Sequence, residues 1–179
     1  MDLDFEIEQL LDKYFKDKND KGGKPYKYHL YNVAGSIKEI GESFLDKNYY
    51  EMNQKDFEKC NNYYYKCYIV ALLHDIFEDT DCTEQELIDI GCNNEIIEAI
   101  KSVTRNKNED YIDFVVRCSK NKIGKLVKQY DLENNMDIKR LNKFDEYEQK
   151  RLRKYFYCWR YITDKITETE LRTILNHEN

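Results

Sequence analysis

Apolar residues recur along most of this chain at three- and four-residue intervals, the spacing that lines one face of an α-helix. Leu3, Ile7, Leu10, Leu11 and Tyr14 form the first such stripe, and Lys18-Asn19-Asp20-Lys21-Gly22-Gly23-Lys24-Pro25 interrupts it with a basic, glycine-bearing loop. A second stripe carries His29, Leu30, Val33, Ala34, Ile37 and Ile40, which places His29 on an apolar face. Residues 46 to 62 are polar and tyrosine-rich, and their pattern fits a loop, a short helix or an extension of the next helix. Ala71 to Asp79 is expected to be one buried helix, with His74 sharing a face with Glu78 and Asp75 with Asp79.

The second half continues in the same rhythm. Thr83-Glu84-Gln85-Glu86 has the form of a capping box and Gly91 closes the short helix it opens. Asn94 is expected to open a helix to about Thr104. Arg105 to Glu109 make a polar connection, Tyr111 to Cys118 resume the stripe, and Asn121 caps a helix that brings Asp131 and Asn135 to a common face. A long helix from Asp145 carries Leu152, Tyr155, Phe156, Trp159 and Ile162, and a short one ends at Leu175. With a single proline and six glycines there is no strand-turn-strand rhythm, so the expected fold is all-α: one domain over 1–179, with the helices of 145–175 packed on it.

Charge and cysteine content narrow the function. A formal net charge of −6 argues against general affinity for nucleic acid, which needs a basic field to neutralise phosphates, so any phosphate site must be local. Arg151, Arg153, Lys154 and Arg160 lie around Tyr155, Phe156 and Trp159, but those aromatics are expected to face the core. The six cysteines make no CxxC pair and are expected to be free thiols, as in a reducing compartment. The acidic amphipathic start and the lack of an apolar run of about 18 residues lead to the expectation of a cytoplasmic protein without membrane contact.

The segment Leu72-Leu73-His74-Asp75-Ile76-Phe77-Glu78-Asp79-Thr80 is chemically unusual. Burying an unpaired charge costs several kcal/mol or more, so His, Asp, Glu and Asp on one apolar helix imply a cation between them. A histidine on a second helix and an aspartate on a third complete a set that suits Mn²⁺, Fe²⁺ or Zn²⁺.

Three stretches carry a family resemblance: Pro25-Tyr26-Lys27-Tyr28-His29 with Val33-Ala34, Ala71-Leu72-Leu73-His74-Asp75 with Glu78-Asp79-Thr80, and Leu126-Val127-Lys128-Gln129-Tyr130-Asp131 with Asn135-Met136. From about Lys21 to Tyr161 the chain resembles the HD-domain metal-dependent phosphohydrolases, and within them the short stand-alone members of the RelA/SpoT-type hydrolase branch. That resemblance implies an HD-domain helical bundle in which His29, His74, Asp75 and Asp131 hold one divalent metal, usually Mn²⁺, while Glu78 and Asp79 are catalytic. It also implies a guanosine alarmone, (p)ppGpp, as substrate, cut to GDP or GTP and pyrophosphate. Lys21 and Lys24 occupy a region of basic phosphate contacts in that family, Arg105 and Lys128 are further cationic candidates, and Asn135 falls at a substrate-contacting position.

The chain departs from the family at Phe15, where a histidine is common, at Gln129-Tyr130, and across 46–62, which resembles an insertion. Two further readings therefore stay open: a phosphatase of the same fold acting on another nucleotide, and a nucleotide-binding module without turnover. The length leaves no space for the synthetase and regulatory domains of the long alarmone enzymes, so an alarmone enzyme of this form is expected only to degrade.

Overall fold

A computed structural model describes residues 2–20 and 22–176, and it is all-α. Helix α1, Leu3–Phe15, starts at Asp2, whose side chain accepts the Asp4 amide, and buries Ile7, Leu10, Leu11 and Phe15. Helix α2, Lys27–Asn48, follows Pro25 and turns His29, Leu30, Val33, Ala34 and Ile37 inward. Ile40, placed on the same stripe by spacing, is 41% exposed, because it lies at the edge of the apolar arc. Helix α3, Gln54–Leu73, is capped by Asn53, so about half of the ambiguous 46–62 stretch is the start of this helix, 46–48 finish α2, and 49–53 form the turn between them.

The expected continuous helix through His74 and Asp75 is broken there. Helix α3 ends at Leu73, Asp75 adopts φ −97° and ψ 3°, and a single turn, α4, spans Ile76–Asp79. The His74 ring explains the stop in part: its Nδ1 lies 2.7 Å from the Ala71 carbonyl oxygen and takes up an acceptor of the last helical turn.

The capping box at Thr83 and Glu86 forms as expected and opens α5, Glu84–Asp89. Gly91 ends the segment with φ 102°, a conformation that disfavours side chains with a Cβ. Helix α6, Asn94–Val103, takes its cap from Asn93, one residue before the expected opening, since the Asn93 side chain accepts the Ile96 amide. Helices α7 (Tyr111–Cys118), α8 (Lys122–Asn135, capped by Asn121), α9 (Glu146–Ile162, capped by Asp145) and α10 (Glu168–Asn176) complete the fold. A 3₁₀ turn at Ile138–Arg140, which no periodic pattern announced, lies between α8 and α9.

Helices α2, α3 and α8 pack pairwise on one another, and α2 with α3 is the most extensive pairing. A glycine allows that approach: a Cβ on Gly41 would stand 2.8 Å from Tyr64 Cγ and 2.9 Å from its Cβ. The run Ile69 to Leu73 at the end of α3 is almost completely buried, and each of Ile69, Val70, Leu72 and Leu73 contributes about 1.5–3 kcal/mol relative to exposure. Helix α8 is held to α9 by Trp159, whose Nε1 donates to Glu133 Oε1 at 2.7 Å. Among the described residues all six cysteines are free, and no helix is long and apolar enough to cross a membrane.

Candidate metal centre and cleft

The central helix triangle delivers three side chains to one point. His29 comes from the first turn of α2, His74 from the end of α3 and Asp131 from α8, and they are 4%, 2% and 4% exposed. Their donor atoms lie within 4.8 Å of one another. His29 Nε2 stands 3.1 Å from His74 Nε2, and Asp131 Oδ1 is 3.3 and 3.5 Å from the two imidazole nitrogens. Asp75, turned inward by the break between α3 and α4, brings Oδ2 to 3.5 and 3.2 Å from the same pair.

This donor set fits a divalent ion. Ligands about 2.1 Å from one centre and at right angles to each other are about 3 Å apart, which is the spacing found. The far side of each ring points the same way chemically. His74 Nδ1 faces the Ala71 carbonyl at 2.7 Å and His29 Nδ1 faces the Asn134 amide oxygen at 2.8 Å. Both acceptors require N–H at Nδ1, so the neutral rings present lone pairs at Nε2 to each other and to two carboxylates. Four facing lone-pair donors in a buried site repel unless a metal ion or a proton sits among them. His29, His74 and Asp131 thus form a buried group with the donor types and spacing to hold a metal ion.

Without a metal, a proton takes the place of the cation between the rings and the carboxylates, and metal binding would release it. Burial alone would lower the pKa of His74, but Asp75 and Asp131 outweigh it and hold the ring well above the usual imidazole value. Burial would raise Asp131, yet Lys128 and both imidazoles keep its carboxyl well below the usual range. Lys128 itself, 8% exposed, lies 2.8 Å from Asp131 Oδ2. Asp131 therefore has one oxygen committed to Lys128 and the other facing the histidines. Tyr26 donates its hydroxyl to Asp75 Oδ2 at 2.7 Å and stacks on Phe15, with ring centroids 5.4 Å apart. Phe15 is thus a core residue under Tyr26 and does not line the cleft.

The cluster forms the floor of a cleft of about 690 Å³, a size that suits a small-molecule ligand. Glu78 and Asp79 on α4 line it beside the floor. Glu78 is open to the cleft, but the protein atoms crowded around its carboxyl raise its pKa above the ordinary glutamate value, and Asp75 and Asp131 push the same way against the Arg105 amide, which donates to Glu78 Oε1. Arg105 lines the cleft and its guanidinium is braced on the Glu109 carbonyl. Arg117 holds that loop by bonding both Glu109 and the Thr104 carbonyl.

Of the other expected substrate contacts, Asn135 lines the cleft, where its Nδ2 donates to Asp131 Oδ1. Lys24 is exposed and is not among the lining residues; Lys21 lies outside the described residues. Among the described residues, the cations that reach the cleft beside Arg105 and Lys128 are Arg140, Lys143 and Arg151. Arg151 and Tyr155 were expected among outward arginines and core aromatics, respectively. Both face the cleft instead, because the inward stripe of α9 runs through Glu148, Arg151, Tyr155, Cys158 and Ile162, leaving Phe156 44% exposed. The sequence reading set Arg151 on the outward arc, although its position one turn from Tyr155 was the available signal; Arg140, in an aperiodic turn, had none.

No family model matches the chain, and no curated protein with which it was compared matches it.

Proposed function

We propose that this protein is a metal-dependent phosphohydrolase that removes the 3′-pyrophosphate of a guanosine alarmone, (p)ppGpp, with His29, His74, Asp75 and Asp131 as ligands of one divalent ion, Mn²⁺ first and Fe²⁺ or Zn²⁺ next. The observation that carries this reading is the convergence of two Nδ1-anchored imidazoles and two carboxylates at 3.1–3.5 Å spacing on the floor of a cleft walled by cations. A bound metal supplies polarisation of phosphoryl oxygens and a lowered pKa for bound water. The substrate identity comes from the Glu78-Asp79-Thr80 sequence after His74-Asp75 and is an inference from resemblance.

The chain's own residues have distinct tasks in this reading. Glu78, with its raised pKa, takes a proton from the attacking water more readily than an exposed carboxylate would. Asp79, whose carbonyl accepts Lys18 Nζ, is held beside it at the cleft edge. Arg105, whose guanidinium is braced on the Glu109 carbonyl, neutralises phosphate charge locally in a chain that is acidic as a whole. Tyr111 and Tyr155, with centroids 5.7 Å apart, offer ring surface in the same cleft.

The test is incubation of the purified protein with ppGpp, with and without Mn²⁺ and with a chelator, following pyrophosphate and GDP by ion-exchange chromatography. Chelator-sensitive release of pyrophosphate with GDP as co-product is expected. Absence of release, with turnover of another phosphorylated nucleotide in a panel, would retain the hydrolase and replace the substrate. Binding without turnover of any of them would replace the enzyme with a nucleotide-binding module.

A further inference from the structure

Arg140 reaches the metal cluster from outside it. Its Nη1 donates to the Asn134 side-chain oxygen and, at 3.1 Å, to the Asn134 main-chain oxygen, while Nη2 points to Asp20 Oδ2 at 3.3 Å. Nη1 also stands 3.2 Å from His29 Nδ1. A guanidinium nitrogen of this kind carries two hydrogens, and the two Asn134 oxygens account for both. None is left for His29, whose Nδ1 must then be the donor to Asn134 Oδ1 at 2.8 Å.

The amide of Asn134 can be placed in two ways, and they have opposite consequences. With oxygen toward His29, the ring is N–H at Nδ1 and its Nε2 lone pair is free for a metal. With the amide turned over, NH₂ would face Nδ1, move the ring proton to Nε2 and block the ligand atom. Arg140 is a donor only, so the turned amide would set NH₂ against guanidinium N–H. The arginine thereby excludes the orientation that disables His29.

Arg140 is itself held. Its side chain is 17% exposed, Asp20 9%, and Asp20 Oδ1 accepts the Lys24 amide at 2.9 Å. The two backbones also touch: a Cβ on Gly22 would meet the Arg140 carbonyl oxygen at 3.0 Å. The loop before α2 and the 3₁₀ turn after α8 are thus clasped together beside the metal cluster.

We propose that Arg140 is a positioning residue that sets the tautomer of His29 by locking the Asn134 amide, with Asp20 anchoring the arginine. The proposal rests on the metal-binding role of His29. It requires that loss of Arg140 weaken metal binding through Asn134, and that an acceptor which cannot be turned over make Arg140 dispensable. Aspartate at 134 is such an acceptor, because both its terminal atoms are oxygens.

The experiment is Mn²⁺ titration followed by electron paramagnetic resonance of the free ion, on the wild type and on Arg140→Ala, Asn134→Asp and the double variant. Arg140→Ala should weaken Mn²⁺ about 10-fold or more, as loss of an outer partner of a ligating histidine does. In the Asn134→Asp background the same substitution should change affinity by no more than about twofold, a coupling that general loosening of the clasp would not produce. Arg140→Met, which keeps the length and loses the donors, carries the measurement should the alanine variant not fold. Equal losses in the two backgrounds, or no loss in either, would overturn the proposal. Failure of the wild type to bind Mn²⁺, Fe²⁺ or Zn²⁺ would remove the metal reading and this one with it, whereas wild-type binding abolished by His74→Ala but untouched in Arg140→Ala would remove this one alone.

Discussion

Lys128 Nζ and Asp131 Oδ2 are 2.8 Å apart on successive turns of α8, and both residues are almost completely buried. The pair fixes the Asp131 carboxylate so that only Oδ1 faces the histidines, and it supplies the largest favourable charge beside the buried carboxylate. Burial would lower the Lys128 pKa, and Asp131 reverses that, keeping the ammonium charged well above its usual range.

Lys128→Met should therefore destabilise the metal-free protein by about 3–5 kcal/mol, the cost of leaving one member of a buried pair alone. Urea unfolding measures the loss, and saturating Mn²⁺ should recover part of it by giving Asp131 a new cation. A metal-free loss below about 1 kcal/mol would mean that Asp131 does not depend on this partner.

His74→Ala and Glu78→Gln should separate metal holding from proton transfer. The first is expected to lose bound metal and hydrolysis together. The second should keep its metal and lose about 10²–10⁴-fold in kcat. Metal content by atomic absorption, read beside the rate, checks both; a Glu78→Gln protein without metal would make Glu78 a ligand.

Gly41→Ala should separate α2 from α3, because the added methyl lands on Tyr64 Cβ and Cγ, atoms too near the backbone to swing away. A net loss of about 1–3 kcal/mol is expected, even against the helix-propensity gain of alanine over glycine. Thermal unfolding of Gly41→Ala with and without Tyr64→Ala checks it: the penalty should shrink when the ring is removed and persist in part, because the position-64 Cβ at 2.9 Å remains.

Glu86 links acid stability to α5. Lys13, then the Thr83 amide and the Tyr14 hydroxyl, lower its pKa to about 2 from the ordinary glutamate value of 4.5. The folded state binds this proton less tightly than the unfolded one, so the contribution is complete above about pH 4.5 and is lost as pH falls through about 2. Glu86→Gln should lower the melting temperature at neutral pH and flatten its pH dependence between these values. Because the group is exposed, high salt should shrink the difference; an unchanged acid limb in the variant would assign the loss to other carboxylates.

Much of the architecture was written in local pattern. The capping box at Thr83, the caps at Asn121 and Asp145 and the apolar stripes of α1, α2 and α8 are each decided within a turn or two by backbone and side-chain chemistry, and they appear where spacing places them. The polar 46–62 stretch was ambiguous because α3 begins with a solvent-facing arc that carries little apolar signal. The break at His74 escaped the pattern because periodicity there is perfect for a continuous helix, while the bond from the His74 ring to the Ala71 carbonyl is a matter of rotamer.

The sequence by itself determined that the chain is helical, where its apolar faces lie, and that His29, His74 and Asp131 sit on them. Tertiary structure alone decided that these three meet, that Asp75 turns toward them, and that Arg140 reaches His29 through Asn134. The physical reason is range. Helix propensity and capping act over a few residues, whereas donor spacing of about 3 Å depends on how α2, α3 and α8 interdigitate, and the Arg140 clasp joins an aperiodic turn to a loop far away in the chain.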